Sequence, residues 1–519
     1  MGGGLLQLVA YGAQDAYITG NPHITFWKVL YKRHTNFAME AFRVNFTGSP
    51  QYGQRVVAIV NRNADLMYKT YLEVQLPDTN TGNVKWTAAW ERRLGYQLLK
   101  KIEVEIGGQI IDTHYGEWLF LWENLTSSFD NSVKLDSMLG GYLGGTETTA
   151  VSCGGRPAIL YIPLQFWFCR NPGLALPLIA LQYHEVRINV TLSAATDLVS
   201  GTAGTAGSIA TAAASLPQLK DMALYIDYIY LDVDERRRFA QQSHEYLIDQ
   251  LQFGLQQTLT TANARIDLTL NHPVKELVWV FQDARKTDCG SDLTKNMGFT
   301  QPFSYDDIVN RCRLQINGQD RFDERYGDYF WRVQPYQHHS GGAFWPMRAQ
   351  VTAPAATTVT ATCSVVGDVL TAGTPVTGTG SPPPYIIEGA TVSGTGIAPG
   401  TVIAAFGSGS GGAGTYQLSE PAITDGTGLP ITFTLPNVNY TPHENPINVY
   451  SFALQPEEHQ PSGTCNFSRI DTTTLVFDSV ATTGVAKPTK STPFNFRMYA
   501  VNYNIFRVMS GMGGLAYSN

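Results

Sequence analysis

A few residue combinations in this chain could bind a metal ion, and each is incomplete. His338 and His339 are adjacent and lie beside Tyr336 and Trp345, but no cysteine or further histidine is near them in the sequence. Zinc sites need three or four such ligands. A partly buried or loop-exposed histidine pair is therefore the better interpretation, and Glu457-Glu458-His459 is interpreted as a solvated turn between two prolines. We predict no metal ion and no cofactor.

Paired carboxylates suggest acid–base chemistry at one further place. Asp306 and Asp307 could serve a glycosidase, but adjacent residues of a strand point to opposite faces of the sheet. We interpret them instead as residues that cap a helix. His184, His244 and His443 each precede a glutamate, and none of them completes the His-Glu-x-x-His zinc motif. The sequence therefore predicts no catalytic site and a protein that is not an enzyme.

The stretch Gly407–Gly412 has the spacing Gly-x-Gly-x-x-Gly of a dinucleotide-binding loop. Such a loop works only between a strand and a helix, because the helix N-terminus holds the pyrophosphate. Here a predicted strand, Thr415–Ser419, follows within a Gly/Ser-rich tract. We interpret the match as a flexible turn.

Sites of covalent modification are suggested only by Asn-x-Ser/Thr sequons. They begin at Asn45, Asn124, Asn189, Asn439 and Asn466. Several lie in predicted strands, and no export signal accompanies them. Asn439, next to a Gly/Thr-rich segment, is the most accessible candidate for glycosylation.

The elements that must position these residues are indicated by a β-hairpin signature that occurs twice. One copy begins at Lys101 and the other at Arg311, and each has an alternating strand followed by a two-residue turn, Gly107-Gly108 or Asn317-Gly318. Both dipeptides suit a type I′ turn, whose central residues take positive φ. Each returning strand leads into the tail Asp-x-(His/Arg)-Tyr-Gly-(Glu/Asp)-aromatic. The shared tail predicts two copies of one β-domain.

Short alternating strands fill the rest of both halves, with Tyr115–Leu125 as the main helical candidate. The first series comprises 43–46, 71–76, 101–106, 187–192 and 224–231, and the second comprises 265–270, 275–281, 311–316, 449–454 and 496–508. Strands of this length between Gly, Pro, Asn and Asp turns favour antiparallel sandwiches over βαβ units. The fold class predicted from the residues is therefore all-β, with two tandem sandwiches joined near Asp234–Ser243.

The low content of charged residues favours some classes of function over others. Charged residues make up only 15% of the 519 residues, against roughly 25% in an average soluble domain, and the net charge is −7. A charge-poor surface suggests cover by partner subunits, although a neutral Thr/Ser-rich exterior is an alternative. Arg236–Arg238 follows three acidic residues and is interpreted as a neutralised linker, so we predict no direct contact with nucleic acid.

The cysteines and apolar stretches indicate where the chain is made. Six scattered cysteines without a Cys-x-x-Cys pair predict reduced, structural thiols in an intracellular setting, and Cys312 falls at an inward strand position. The N-terminus lacks the basic segment of a secretory signal. The longest apolar stretches, 158–168 and 174–181, contain prolines and are too short to span a bilayer. We expect a soluble protein made without export.

Two segments stand apart from the sandwiches. Residues 1–41 form a Gly-rich arm in which Ile24–Arg33 has helix-like apolar spacing, and we predict a short amphipathic helix there. The arm would pack across the base of the first domain, reach a neighbouring subunit, or both.

A Gly/Thr-rich stretch at 351–436 has regular strand–turn alternation, which favours a small inserted β-module over a disordered loop. Ala194–Ser215 is predicted to be a long surface loop. The expected domains are 1–41, 42–238 and 239–519, with the module inside the last.

Several ordered motifs resemble a known family. They are Gly4–Asp15, Asn21–Lys28, Ile106–Gln109, Leu277–Gln282, Ile316–Gln319 and Cys465–Asp471, and they are similar to the major capsid protein of nucleocytoplasmic large DNA viruses. The resemblance covers nearly the whole chain except Ala194–Ser215 and the module. It implies a tandem double jelly roll, that is, two eight-stranded antiparallel β-sandwiches, in which three copies give six barrels on a hexagonal lattice.

The resemblance also implies partners and a location. The expected partners are other copies of the chain, in a homotrimer and in neighbouring capsomers, together with minor capsid and penton proteins. The arm would lie on the inner side towards a membrane, and the location would be the outer capsid of a virion assembled in the host cytoplasm. The module separately resembles Gly/Thr-rich β-modules of phage and viral surface proteins.

An alternative function is that of a carbohydrate-binding or carbohydrate-active β-sandwich protein. It is suggested by Trp279, Trp331 and Trp345, but aromatic residues within strands more often fill cores.

Overall fold

The computed structural model describes residues 7–10, 12–77, 89–90, 93–140, 152–153, 156–157, 159–200, 218–284, 305–341, 358–373, 377–378, 390–398, 401–406, 414–434, 446–479, 488 and 493–517. Strands dominate these ranges, and every pair of strands described is antiparallel. Among them no helix is long and apolar enough to cross a membrane.

The first half of the chain forms one curled nine-stranded sheet within the described residues. Its strands, numbered in chain order along the protein, are β1 (Phe37–Thr47), β2 (Arg55–Ile59), β3 (Leu66–Gln75), β5 (Leu99–Ile106), β6 (Gln109–His114), β9 (Ile159–Pro163), β10 (Leu176–Pro177), β11 (Val186–Leu192) and β13 (Asp221–Leu231). The sheet turns back on itself at β1, because Phe37–Asn45 pairs with β13 while Phe46 and Thr47 pair with β2. The two layers enclose one apolar core that includes Leu72, Val104 and Leu224.

The second half forms two sheets in the described residues. One contains β14 (His244–Leu259), β16 (Pro273–Asp283), β27 (Asn448–Ser451), β28 (Cys465–Asn466), β30 (Phe494–Met509) and β31 (Met512–Leu515). The other contains β15 (Asn263–Asp267), β17 (Val309–Ile316), β18 (Gln319–Asp320), β19 (Arg325–Tyr326) and β29 (Thr473–Ser479). A separate core that includes Trp279, Phe281 and Phe477 lies between them.

The two halves have the same strand order. The layer β1-β13-β3-β9 corresponds to β14-β30-β16-β27, and the layer β2-β11-β5-β6 corresponds to β15-β29-β17-β18. If the eight strands of either half are counted along the chain, the layers read 1-8-3-6 and 2-7-4-5. This is the arrangement of a jelly roll, so the predicted tandem double jelly roll is confirmed. We call the two halves the first barrel and the second barrel.

Both predicted hairpins form as expected. Gly107 and Gly108 have φ of 60° and 85°, and Asn317 and Gly318 have φ of 49° and 79°. The turns join Ile106 to Gln109 and Ile316 to Gln319. In each barrel the shared tail then enters helical structure, so the hairpin and helix together are the repeated unit.

The helices of the described ranges are short. They are α1 (Ala16–Thr19), α2 (Leu94–Leu98), α3 (Gly116–Thr126), α4 (Phe129–Met138), α5 (Trp167–Arg170), α6 (Val233–Gln241) and α7 (Gln334–His338), and a π-helical turn, Tyr329–Val333, precedes α7. The predicted helix at Tyr115–Leu125 is therefore confirmed as α3. The expected linker near Asp234–Ser243 contains α6, from which Arg236 extends to Asp65, with 2.9 Å between Nε and Oδ1.

The predicted helix at Ile24–Arg33 is wrong. This segment has no helix and only a turn around Phe26–Lys28, and its side chains are exposed. An amphipathic helix this short is not stable in water unless its apolar face packs on something. Among the described residues no surface covers the arm at this point, because Trp27 remains 95% exposed.

The inserted segment is a folded module. Its seven-stranded sheet contains β20 (Thr358–Val366), β21 (Val369–Ala372), β22 (Thr377–Gly378), β23 (Thr391–Gly394), β24 (Ile403–Phe406), β25 (Gly414–Leu418) and β26 (Gly426–Thr434). The module has its own core, which includes Leu370, Tyr416 and Phe433. Two small pairings, β4 (Ala89–Trp90) with β12 (Val199–Ser200) and β7 (Ser152–Cys153) with β8 (Arg156–Pro157), complete the strands described. Of the predicted loop Ala194–Ser215, residues 201–215 lie outside the described ranges.

Candidate functional site: the barrel junction

The adjacent histidines have different environments. His338 is on the surface, and its Nδ1 lies 3.1 Å from the carbonyl oxygen of Leu454. The side chain of His339 is fully buried, with Nε2 3.0 Å from Glu276 Oε2 and Nδ1 3.0 Å from Glu457 Oε1. The predicted solvated turn at Glu457–His459 is therefore wrong for Glu457, because that carboxylate is held by the imidazole.

The imidazole and the two carboxylates form a charged clamp. Burial alone would lower the pKa of His339, but the negative charges of Glu276 and Glu457 and their hydrogen bonds raise it to about 9. Glu457 also accepts hydrogen bonds from Ser340, and its pKa is lowered by these bonds and by His339 in spite of burial. In the described part of the chain no group of three or more histidine, cysteine, aspartate or glutamate side chains has the arrangement of a metal site. The clamp fastens the segment after α7 to β16.

The interpretation of Asp306 and Asp307 as helix-capping residues is wrong. No helix follows them, since β17 begins at Val309. Asp306 is buried, and its carboxylate accepts the backbone N–H of Asp283 at 3.0 Å. Burial, with the nearby charge of Asp328, raises the pKa of Asp307 to about 6. Asp306 therefore secures the end of β16, and neither aspartate begins a helix.

The remaining candidates from the sequence fall into two groups. Asn439 and Gly407–Gly412 lie outside the described residues. Among the cysteines that the structure describes, Cys169, Cys312, Cys363 and Cys465 are free thiols. Cys312 is buried, as its inward position predicted, and burial raises the pKa of its thiol well above the usual range.

The most extensive polar cluster lies between the barrels. Helix α3 of the first barrel presents Glu117 to Arg497 on β30, with Nε 2.7 Å from Oε2 and Nη2 2.6 Å from Oε1. Tyr499 and Tyr305 donate their hydroxyls to the same carboxylate at 2.6 and 3.1 Å. Gln282 Oε1 accepts a further hydrogen bond from the same Nη2 at 2.6 Å. A bidentate arginine–carboxylate pair with further donors is the strongest form of such a contact.

The pKa values in this cluster reflect mutual stabilisation. Burial would lower the pKa of Arg497, but the charge of Glu117 raises it above its usual range. Burial and the neighbouring carboxylate raise the pKa values of Tyr305 and Tyr499 well above 10, so both hydroxyls remain donors. The raised pKa values keep the arginine and both tyrosines protonated near neutral pH, so all three continue to donate hydrogen bonds to the carboxylate.

Apolar packing surrounds this cluster. Along β16, Leu277, Trp279 and Phe281 enter the core of the second barrel, while Val278 and Val280 belong to the core that contains the first barrel. Tyr499 and Val501 of β30 also belong to that larger core. Both faces of this layer are therefore buried, one against the second barrel's own core and the other against the core that contains the first barrel.

Contacts at either side extend the junction. Leu251 donates its N–H to Asp112 Oδ1 at 3.1 Å, and Tyr183 donates its N–H to the carbonyl of Gly511 at 2.9 Å. Gly341 donates to the carbonyl of Leu125, the last but one residue of α3, at 2.8 Å. Two of these bonds join backbone groups of both barrels and the third joins a backbone N–H to a carboxylate, so the relative orientation of the barrels is fixed.

A second ionic cluster crosses the same boundary. Asp249 of β14 lies 3.8 Å from Arg170 Nη1 and 3.3 Å from Lys275 Nζ. Lys275 is fully buried against the ring of Tyr503, and Arg170 stacks over Trp122. Burial lowers the pKa of Arg170, and Asp249 opposes this effect. Sequence patterns predicted the strand that begins at Lys275, but not the positions of Arg170 and Asp249 or the pairing among the three.

The sequence had singled out the tail that contains Glu117 without assigning it a role. Its two copies are Asp112–Leu119 and Asp323–Phe330. The first copy supplies Asp112, Tyr115, Glu117 and Trp118 to the junction, where Trp118 packs against Tyr499 with ring centroids 5.5 Å apart. The repeated tail was thus the signal that could have located this site.

Comparison with known proteins agrees with this architecture. A family model described as the N-terminus of the major capsid protein matches residues 25–232. A second model, for the large eukaryotic DNA virus major capsid protein, matches residues 235–346 and 434–514. The gap in the second match falls on the inserted module, which is therefore additional to the family's common core.

Similar proteins cover the whole chain. The major capsid protein of Pyramimonas orientalis virus is 41% identical over 521 residues, and that of Paramecium bursaria Chlorella virus 1 is 34% identical over 557 residues; each match spans 100% of both chains. Among solved structures, the quasi-atomic model of the PBCV-1 virus capsid has 31% identity and a TM-score of 0.62, covering 95% of this chain and 100% of that chain. The Faustovirus major capsid protein, at 12% identity and a TM-score of 0.59, covers 96% and 94% and shares the fold.

The duplicated barrel, the two family models and relatives of up to 41% identity along the full length agree with one another. This chain belongs to the major capsid proteins of large eukaryotic DNA viruses.

Proposed function

We propose that three copies of this chain form a homotrimer whose six barrels make a pseudo-hexameric capsomer, and that these capsomers tile the outer icosahedral shell of a large DNA virus. The observation that carries the proposal is the junction built around Glu117 and Arg497. Because backbone, ionic and apolar contacts fix one barrel on the other, the pair can act as a rigid third of a six-cornered unit.

The shared strand order supports the same assembly. Two barrels with equivalent layers can occupy alternating, nearly equivalent positions around a threefold axis. One structural relative is the quasi-atomic model of the PBCV-1 virus capsid. A chain with only 15% charged residues suits extensive burial against partners, since obligate interfaces exceed about 2,000 Å² and are more apolar than the rest of the surface.

We assign the parts of the chain as follows. Residues 42–238 and 239–519 are the two jelly-roll domains, 351–436 is a module carried by the second, and 1–41 is an arm that reaches beyond its own barrel. The exposed apolar side chains of the arm support that role, and in the part of the chain that the structure describes they are Ile24, Phe26, Trp27, Leu30 and Tyr31. We infer that the arm lies on the inner side of the shell, towards a membrane, and that the module lies on the outer face.

The other expected partners are minor capsid and penton proteins, and assembly would take place in the host cytoplasm. We infer a structural role without catalysis and without direct contact to nucleic acid, which the net charge of −7 would disfavour. Asn439 is our candidate for glycosylation. Intact-mass measurement of the virion protein before and after glycosidase treatment, followed by peptide mapping, would test that assignment.

Sedimentation velocity and electron microscopy of the purified protein test the assembly. We expect a trimer at micromolar concentration and particles with a six-cornered outline in projection. A stable monomer at that concentration, with intact β-structure by circular dichroism, would rule out the proposed capsomer. A trimer with a three-lobed, open outline would contradict the pseudo-hexameric arrangement.

A further inference from the structure

We propose that Lys275 and Asp249 react with each other in the folded chain and form an isopeptide bond, an amide between the lysine amine and the aspartate carboxyl group. The bond ties β14 to β16, the two strands that flank β30 in the second barrel. It forms within one chain and is independent of how many copies assemble, so it goes beyond the function proposed above. The ionic cluster around Asp249 is thereby a site of covalent modification.

The two reacting groups meet in a buried environment. The side chain of Lys275 is 1% exposed and that of Asp249 is 11% exposed. The lysine Nζ lies 3.4 Å from Asp249 Oδ1 and 3.3 Å from Oδ2. Because the two distances are nearly equal, the nitrogen faces the carboxyl carbon between the oxygens. A nucleophile and a carboxyl group held roughly 3–3.5 Å apart are already in a near-attack arrangement.

The buried lysine is poorly stabilised as an ammonium ion. Its contact with the carbonyl oxygen of Glu458 is also long, at 3.4 Å. Charge-assisted hydrogen bonds are usually about 2.7–2.9 Å long. The ring of Tyr503 lies beside the same nitrogen, with its centroid 4.9 Å away. Since long contacts do not compensate for removing two charges from water, conversion of the pair to a neutral amide is favourable.

The reaction is a condensation that requires no oxidant, reductant or other reagent. One C–N bond forms between Lys275 Nζ and Asp249 Cγ, and one C–O bond of the carboxyl group breaks. Two protons of the ammonium ion leave with the released oxygen as one water molecule, and the third stays on the amide nitrogen. Arg170 Nη1, 3.8 Å from Asp249 Oδ2, is placed to stabilise the negative oxygen of the tetrahedral intermediate.

A second carboxylate is available to move these protons. Glu276 follows Lys275 in β16, its side chain is fully buried, and its Oε1 accepts no hydrogen bond from the described residues. Burial raises the pKa of Tyr503, and the charges of Asp249 and Glu276 raise it further, so both carboxylates lie near this ring. Glu276 therefore transfers protons from the amine to the leaving oxygen.

An exposed pair of the same kind provides a control within the chain. Lys101 and Glu103 on β5 also form an ion pair, but the Lys101 side chain is 39% exposed. Water stabilises the charges of an exposed pair, so this pair stays ionic. Burial, and not contact alone, thus determines which lysine reacts.

Intact-mass measurement of the recombinant full chain, folded first and then reduced and unfolded, tests the bond. We expect the mass calculated from the sequence less one water molecule. Trypsin does not cleave after a lysine whose amine is acylated. The digest should therefore contain segment 239–265 joined to segment 266–285 as one branched peptide, with the link mapped by fragmentation to Asp249 and Lys275. The peptide bond after Lys101 should be cleaved as usual.

Variants separate the chemistry from ordinary packing. Lys275→Arg keeps a cation that is not a nucleophile, and Asp249→Ala removes the electrophile, so both should have their full calculated masses. Glu276→Gln should lower the linked fraction at least about tenfold. His339→Gln is its control, because it removes the partner of Glu276 Oε2 and leaves the carboxylate in place. This control should be linked to the same extent as the wild-type chain.

The wild-type chain alone decides whether the bond exists, so the result does not depend on whether a variant folds. A full calculated mass, with peptides 266–275 and 276–285 released separately, overturns the proposal. A lost water that maps to another pair of residues overturns it as well. An unchanged linked fraction in Glu276→Gln overturns the role of that carboxylate. None of these results alters the capsomer, which sedimentation tests separately.

Discussion

Glu117 and Arg497 are 380 residues apart in the chain, yet the carboxylate of one receives two hydrogen bonds from the guanidinium of the other, at 2.7 and 2.6 Å. The pair joins the helix that follows the first repeated hairpin to the last long strand of the second barrel. Its burial and its additional tyrosine donors make it the polar centre of the contact that turns two barrels into one body.

Replacing Arg497 with methionine should strongly destabilise the chain. The substitution leaves the Glu117 carboxylate buried without its cation, and breaking a buried pair in this way destabilises a protein by about 3–5 kcal/mol. We expect a clear shift in the urea midpoint followed by tryptophan fluorescence, because Trp118 lies beside the pair.

Arg507→Met provides the matched control on the same strand. Arg507 pairs with Glu245, and both side chains are about half exposed. An exposed pair contributes less than about 1 kcal/mol. Equal destabilisation by the two substitutions would show that the buried Glu117–Arg497 pair contributes no more to the free energy of unfolding than the exposed Glu245–Arg507 pair does.

Stability should fall at alkaline pH because of His339. The pKa of this residue is raised to about 9 by Glu276 and Glu457 in spite of burial, against 6.5 when the chain is unfolded. The stabilisation is therefore complete below pH 6.5 and is lost as the pH rises from 6.5 through 9, by an amount on the order of 3 kcal/mol. Urea unfolding at a series of pH values should show this slope.

His339→Gln should flatten that slope, with lower stability at pH 6 than the wild-type chain. His338→Gln is the control, because that side chain lies on the surface and contacts only the Leu454 carbonyl among the contacts described. If both variants keep the wild-type slope between pH 6.5 and 9, the clamp is not the source of the alkaline sensitivity.

The two hairpin turns should respond differently to alanine. Gly107 and Gly318 both have positive φ, where a β-carbon adds roughly 1–2 kcal/mol of strain. At Gly107 the new methyl group would also lie 2.3 Å from His184 Nδ1, and that nitrogen is 2.9 Å from the Gly513 carbonyl across the junction. At Gly318 nothing lies within 4 Å.

We therefore expect Gly107→Ala to lower the melting temperature more than Gly318→Ala does. Differential scanning calorimetry of the two variants would show it. A similar loss in both would indicate that only the backbone conformation matters, and that the His184 ring moves aside without weakening the junction.

Removing residues 1–33 should affect assembly more than folding. The described side chains of this segment are almost all exposed, so the deletion should change the stability of the monomer by less than about 0.5 kcal/mol. Larger arrays seen by electron microscopy should become fewer, because the deletion removes the exposed apolar residues of the arm. Phe26→Ser with Trp27→Ser is a milder variant expected to act in the same direction. A large loss of thermal stability in the deletion would instead place the arm among the elements that hold the barrel together.

Local patterns were sufficient for much of the fold. Alternation in Lys101–Ile106 and Arg311–Ile316, with turn dipeptides that require positive φ, predicted both hairpins, and the shared tail predicted the duplication. These features depend on neighbours a few residues apart. The prediction of a helix at Ile24–Arg33 was wrong for the complementary reason. Apolar spacing specifies a short helix only when a surface covers its apolar face, and none of the described residues provides that surface.

The amino-acid sequence by itself determined the class of fold, the strands, the turns and the existence of two related halves, because each follows from the chemistry of adjacent residues. Only the tertiary structure decided which residues meet across the barrels. Glu117 contacts Arg497, which is 380 residues away along the chain, and His339 contacts Glu457, which is 118 residues away. It also decided that one copy of a repeated tail is buried while the other faces solvent, since burial depends on which layer lies opposite and not on the motif itself.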